Sequence, residues 1–323
     1  MVDNNMNQGM QMGIPQQPSA DNPAQPPMSP TQAQPMPVQT PVGNPLIKHL
    51  RQPKIYIKLP SEGQYWPHNS LAKTETGEYP VYAMTAKDEI TFKTPDALLN
   101  GQATVDVIQS CMPDIKDAWQ TPSIDLDAIL VAIRMASFGE KLDMSANVPG
   151  TTITKSFQLD LQTIYDNLTN TEYTDTFQID GFRIQIRPAS YKMVTQQAIK
   201  AFEEQRIFTT VNDDSLDDSL KLERFQKSFS KLTDININAV VSNVVAIQPD
   251  GADEAVTNPK YLKEFLEGAE AKIYNQIADY IKTQKERFEQ KPLVVDATPE
   301  EIEAGASKTY EIPIVFDQSN FFG

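Results

Sequence analysis

The chain has 323 residues, with 28 Lys plus Arg against 43 Asp plus Glu and a formal net charge of -15. That balance, without any clustered run of Lys and Arg, repels a phosphate backbone and argues against nucleic-acid binding. One cysteine and two histidines exclude an internal disulfide and a thiolate zinc site, and leave little acid–base repertoire.

The first 45 residues hold 10 of the 24 prolines, and Asp3 and Asp21 are their only charged side chains. Such a segment buries too little apolar surface to offset about 1–2 kcal/mol of backbone ordering per residue, so residues 1–45 are expected to form a disordered tail. PxxP spacings occur at Pro15–Pro18, Pro23–Pro26 and Pro27–Pro30, but no flanking base orients them in an aromatic groove. No Lys or Arg precedes Lys48 and no apolar core follows Met1, so no secretory signal is read. With one thiol, synthesis inside the cell is expected. The longest apolar stretch, Ala128 to Ile133, is far below the roughly 20 residues a bilayer needs, and membrane insertion is not expected.

Alternation from Lys54 to Pro60 predicts a half-buried strand with Ile55, Ile57 and Leu59 on one face, and a second short strand follows over Tyr79 to Met84. Thr94-Pro95-Asp96 reads as an N-cap, a first-turn proline and a carboxylate at a helix start. A helix from Gln102 stops near Met112, before Pro113. The most apolar helix runs from Ile124 to Phe138 and ends at Gly139. The period then changes to two. Ile153, Phe157, Leu159 and Leu161 mark one strand, and Asp180-Gly181 joins two more in a hairpin. Ser190 caps a helix through Phe202. Leu222, Phe225, Phe229 and Leu232 have helical spacing, and an apolar run covers Val240 to Ile247. Asn258-Pro259 predicts one long helix ending near Pro292. Tyr310, Ile312, Ile314 and Phe316 close the chain as a strand.

The fold class expected is α+β, with a central helical unit over Thr94–Gly139, small antiparallel hairpins and a helical extension over Ser190–Gln290. The domains follow as a tail over 1–45, a core over 46–189, a helical extension over 190–292 and a C-terminal strand segment over 293–323 that packs back on the core.

A search for chemistry finds no phosphate loop, no GxGxxG turn, no GxSxG elbow and no HExxH helix. Cys111 reads as a buried inert thiol. Neither His49 nor His68 has a ligand neighbour at metal spacing. Asp125 and Asp127, two apart on a helix, point about 200° apart and form no dyad. The acidic run from Asp213 to Asp218 lacks the Gly and terminal Glu of a calcium loop and reads as solvated. No catalytic residue, metal or cofactor is assigned.

Longer strings are more specific. KIYIKLP at Lys54–Pro60, YPVYAMTAKDE at Tyr79–Glu89, KTPDALLNG at Lys93–Gly101, PSIDLDAIL at Pro122–Leu130, Arg187-Pro188 and FDQSNFF at Phe316–Phe322 together resemble the baseplate hub protein family of T-even-type, contractile-tailed bacteriophages. The likeness spans about Lys54 to Arg206 and the last dozen residues, leaving out the tail and the stretch from Asn212 to Pro299. It implies a non-enzymatic protein of the tail baseplate hub that acts by protein contacts. Its partners would be other hub proteins or the tape-measure protein, in the host cytoplasm during assembly or in the finished virion. Relatives can carry zinc-ribbon-like cysteine pairs at two turns. The corresponding turns here, Ser145–Gly150 and Glu303–Ser307, have no cysteine. The resemblance therefore implies metal-free hairpins held by Phe157, Leu159, Ile312 and Ile314. Candidate partner-binding residues are Lys93, Thr94, Pro95 and Asp96 in the first literal string, and Phe316, Asp317, Phe321 and Phe322 in the last. Each group has an alternative role within its own fold, as cap and core for the first and as docked aromatics for the last. The rival readings are a tail assembly chaperone absent from the virion, a hub-associated cell-wall-degrading enzyme, and a host-directed adaptor using the Pro-rich tail.

Overall fold

Four small antiparallel sheets and a set of helices make up the computed structural model, which describes residues 50–94, 101–210 and 218–314. Strand β1 (Pro53–Lys58) pairs with β2 (Glu78–Tyr82), and the predicted alternation sends Ile57 into the core beside Leu59, Tyr79 and Val81. Helix α1 (Ala86–Phe92), which the sequence reading did not assign, starts with a capping box in which Thr85 and Asp88 satisfy each other's backbone N–H. Thr94, expected as an N-cap, is the last described residue before the segment it would cap. Its Oγ1 donates to the Ile90 carbonyl at 3.1 Å, one residue after the C-cap Lys93 of α1. The helix expected to start at Pro95 lies outside the described residues.

Helix α2 (Gln102–Cys111) and helix α3 (Ser123–Phe138) match their expected limits, with Met112 and Gly139 as C-caps. Ile124, Ala128, Ile129, Val131, Ala132 and Ile133 are buried around most of α3, which is why it reads as apolar on all sides. It forms the centre of the largest cluster, with α2, β1 and β2 packed around it.

Strands β3 (Lys141–Asn147) and β4 (Thr154–Asp160) form a hairpin paired along its full length. Ser145, Ala146 and Asn147, expected in a turn, are strand residues, because their cross-strand partners Ser156, Lys155 and Thr154 continue the ladder. Asp160 then caps helix α4 (Leu161–Thr169) by accepting from the N–H groups of Gln162 and Thr163. Asp180 (φ 38°) and Gly181 (φ 86°) turn β5 (Thr176–Ile179) into β6 (Phe182–Ile186), both in the left-handed region that this tight hairpin demands.

Helices α5 (Tyr191–Thr210) and α6 (Asp218–Asn243) follow, and the apolar run after Val240 divides between the end of α6 and strand β7 (Val244–Pro249). Strand β7 pairs with β6, so this sheet joins residues before and after Ser190. The single helix expected after Asn258 is two helices, α7 (Pro259–Gly268) and α8 (Ala271–Glu286). Gly268 weakens the helix, Ala269 turns extended, and the break lets Leu262, Leu266 and Ile277 reach one cluster with Ile184, Ile186 and Ile247.

Last come β8 (Leu293–Asp296), the short helix α9 (Pro299–Glu303) and β9 (Thr309–Ile312), with β8 and β9 paired. The turns at Gly150 and Gly305 meet here. A Cβ placed on Gly150 would lie 3.0 Å from the Gly305 carbonyl oxygen, and one on Gly305 would lie 3.1 Å from that of Gly150. Only glycine permits backbones this close. Val148, Ala306, Tyr310 and Ile312 form a small core under the contact, with Phe157 against it, while Leu159 and Ile314 pack with the main cluster. Lys155 Nζ meets Glu301 Oε1 at 2.9 Å, and Tyr310 donates to Glu301 Oε2 at 3.2 Å.

Candidate protein-interaction surface

The buried polar groups are structural anchors. Asp125, fully enclosed in the first turn of α3, accepts from Ser61 N and Trp66 Nε1, both at 2.8 Å, and from the Ser61 hydroxyl. Burial pushes its pKa up to about 6, and the Ser61 and Trp66 donors only partly hold it down. These bonds fix the loop after β1, where Glu62, Tyr65 and Asn69 all take left-handed backbone angles. That loop and the segment after α4 line an open polar cavity of about 400 Å³.

Asp127 faces a different neighbourhood, a cavity of about 160 Å³ lined also by Tyr191, Lys285 and Glu289. Its pKa is likewise pushed up to about 6, first by burial and then by Glu289, against the pull of Lys285. The two carboxylates are not brought together.

A second anchor joins α1 to α2. Arg51 donates to the Ala83 carbonyl at 2.7 Å and to Ser110 Oγ at 2.8 Å, and Ser110 Oγ donates to Asp88 at 3.0 Å. Cys111 is buried beside this network, and burial followed by the Asp88 charge pushes its thiol up to about 12. A thiol held protonated in this way is neither nucleophile nor ligand at neutral pH. His68 is exposed, and His49 lies outside the described residues. Among the described residues, no group of three His, Cys, Asp or Glu could hold a metal ion. No helix among them is long and apolar enough to cross a membrane.

The surface is more informative. Lys93 and Thr94 are exposed, one turn after the exposed Ile90 on α1. The remaining candidates, Pro95, Asp96, Phe316, Asp317, Phe321 and Phe322, lie outside the described residues, as does the acidic run from Asp213 to Asp217. A larger apolar surface belongs to α5 and α6, where Phe202, Leu220, Leu222, Phe225 and Phe229 are exposed. Between these helices Glu204 and Ser228 are buried, and Lys231 Nζ lies 2.7 Å from Glu204 Oε1. Helical spacing predicted α6 but gave no sign that its aromatics face outward.

Comparison with known protein families matches residues 53–291 to the family described as T4 bacteriophage base plate protein. The match takes in Asn212 to Lys291, where sequence reading found no resemblance, and stops short of the closing FDQSNFF string. No curated protein matches the chain, and no solved structure does. Because the match covers well over half of the 323 residues, the chain belongs to the T4 bacteriophage base plate protein family.

Proposed function

We propose that this baseplate protein is a non-enzymatic component of the tail baseplate hub that acts through protein contacts with other hub proteins or the tape-measure protein. The family match carries the reading. Supporting it, the strongly shifted carboxylates are committed to the fold or isolated from each other, the thiol is buried, and five exposed large apolar side chains lie on α5 and α6. Lys93 and Thr94, with Pro95 and Asp96, form one contact patch in this proposal. Phe316, Asp317, Phe321 and Phe322 form another, because terminal aromatics need an apolar seat.

Affinity purification of the tagged protein from infected cells, with mass spectrometry of captured proteins and of finished virions, tests the proposal. Capture of hub proteins with the bait present in virions is expected. Capture with the bait absent from virions would make it an assembly chaperone acting before the tail is complete. A purified protein that clears peptidoglycan in a zymogram would overturn the non-enzymatic reading.

A further inference from the structure

We propose that the cavity between the first turns of α3, the start of α5 and the end of α8 seats a lysine side chain from another protein chain, with Asp127 as its counter-ion. The inference rests on the reading that this protein acts through protein contacts. Each element offers one helical face to the cavity: Ile124 and Asp127 on α3, Tyr191 and Val194 on α5, and Lys285, Phe288 and Glu289 at the end of α8. The volume is about 160 Å³, well below the roughly 300–1,000 Å³ of a small-molecule site, which leaves room for one side chain.

The walls suit a methylene stem. Ile124 and Phe288 are buried, and the Tyr191 ring is stacked on Trp119 with centroids 5.6 Å apart, so the fold holds these walls in place. A lysine lays its stem along apolar surface and keeps its charge at the end. Asp127 is what meets that charge. Its carboxylate has no hydrogen bond and no ion pair among the described residues, while Lys285, the cation lining the cavity, is paired with Glu289 at 3.3 Å. Two carboxylates against one ammonium leave one negative charge unanswered. The upward shift of Asp127, from burial first and Glu289 second, agrees with a carboxylate short of a cation. Its two oxygens and the hydroxyl of Ser123, which also lines the cavity, match the three donors of an ammonium better than the five of a guanidinium.

Composition points to a cation from outside the chain. Residues 1–47, 95–100, 211–217 and 315–323, all outside the described residues, contain no Lys or Arg. Lys48 and the Met1 amine are the amines that the chain's own undescribed part offers instead. A net charge of -15 also draws basic partners.

Titrating n-butylammonium chloride into the methyl-labelled full chain at neutral pH reads the cavity by NMR without any partner. Saturable shifts are expected at Ile124, Leu126 and Val194, with a dissociation constant of about 1–10 mM, a range open to so small a ligand. Uncharged 1-butanol should bind about tenfold more weakly, and Asp127→Asn should weaken butylammonium by about tenfold or more. One pH unit below the Asp127 midpoint, binding should fall about tenfold as the carboxylate takes a proton. The other titratable groups facing it are Tyr191, Lys285 and Glu289. Val194→Phe, which fills the cavity from α5 and leaves the charges in place, should abolish binding. No saturable shift, butanol binding as tightly as butylammonium, or full affinity in Asp127→Asn each overturns the proposal. The occupant is read by carbodiimide cross-linking of the protein captured with its partners from infected cells. An amide bond between Asp127 and a lysine of another chain is expected. No such bond, or one to Lys48 or the Met1 amine of the same chain, overturns it. A failed titration counts against the cavity alone and a failed capture against protein contacts, so the two readings fail separately.

Discussion

At the scale of single residues, Asp125 sets a carboxylate against its own hydration. Removing it from water costs several kcal/mol, and three donors from Ser61 and Trp66 recover only part of that. The result is a folded-state pKa of about 6 against 3.8 in the reference state. A carboxylate shifted upward in this way contributes stability that is fully present below pH 3.8 and lost as pH rises through about 6. Asp127 is shifted in the same direction, so the two effects add. Urea denaturation should therefore show Asp125 and Asp127 contributing more stability at pH 5 than at pH 7, on the order of 1–2 kcal/mol together. Asp125→Asn should remove part of that difference. Asp125→Ala should cost about 2–4 kcal/mol at either pH, because it strands the buried Ser61 N–H and Trp66 Nε1–H. An Asp125→Asn protein with the same pH dependence as the parent would refute the assignment.

Between single residues and the whole chain, the contact of Gly150 with Gly305 joins two hairpins distant in sequence. The β3–β4 turn and the turn after α9 touch backbone to backbone, above a core of Val148, Ala306, Tyr310 and Ile312. The Thr298–Glu301 capping box starts α9, and the same Glu301 meets Lys155 and Tyr310, so one carboxylate serves a helix cap and a bridge between hairpins. Gly150→Ala meets both a left-handed φ of 80° and an oxygen 3.0 Å away. Gly77→Ala meets a similar φ of 72° with nothing within 4 Å. The first should lower stability by about 2–4 kcal/mol and the second by about 1–2, both read from denaturant midpoints. Equal losses would mean that the contact between turns contributes nothing beyond backbone strain.

For the whole molecule, the apolar interior among the described residues is two large clusters and one small one. The first centres on α3, the second on Ile184, Ile186, Leu262, Leu266 and Ile277. They have no residue in common, so each can lose packing while the other keeps it. Ile277→Ala should cost about 2–5 kcal/mol and speed amide exchange chiefly in β6, β7, α7 and α8, leaving α3 protected. Hydrogen exchange read by mass spectrometry separates this from uniform loosening, in which α3 would exchange faster too. Such a division suits a baseplate protein, since one part can adjust to a neighbour while the other keeps its shape.

The elements that sequence determined are those whose signals are local. Strand β1, helices α2 and α3, the Asp180-Gly181 hairpin, the Ser190 start and the Asn258-Pro259 start each rest on period, cap or turn chemistry within a few residues. Tertiary structure decided the rest. Gly268 is a weak helix breaker by sequence, and only the shared cluster of α7 with α8 makes the break favourable. The interaction surface was the least legible part. Spacing identified α6 as a helix with an apolar stripe, and an apolar stripe reads the same whether it faces a core or solvent. The partners of Asp125 and Gly150 followed from contacts spanning 64 and 155 positions of sequence. Periodicity fixes the face of an element, and packing decides what that face meets.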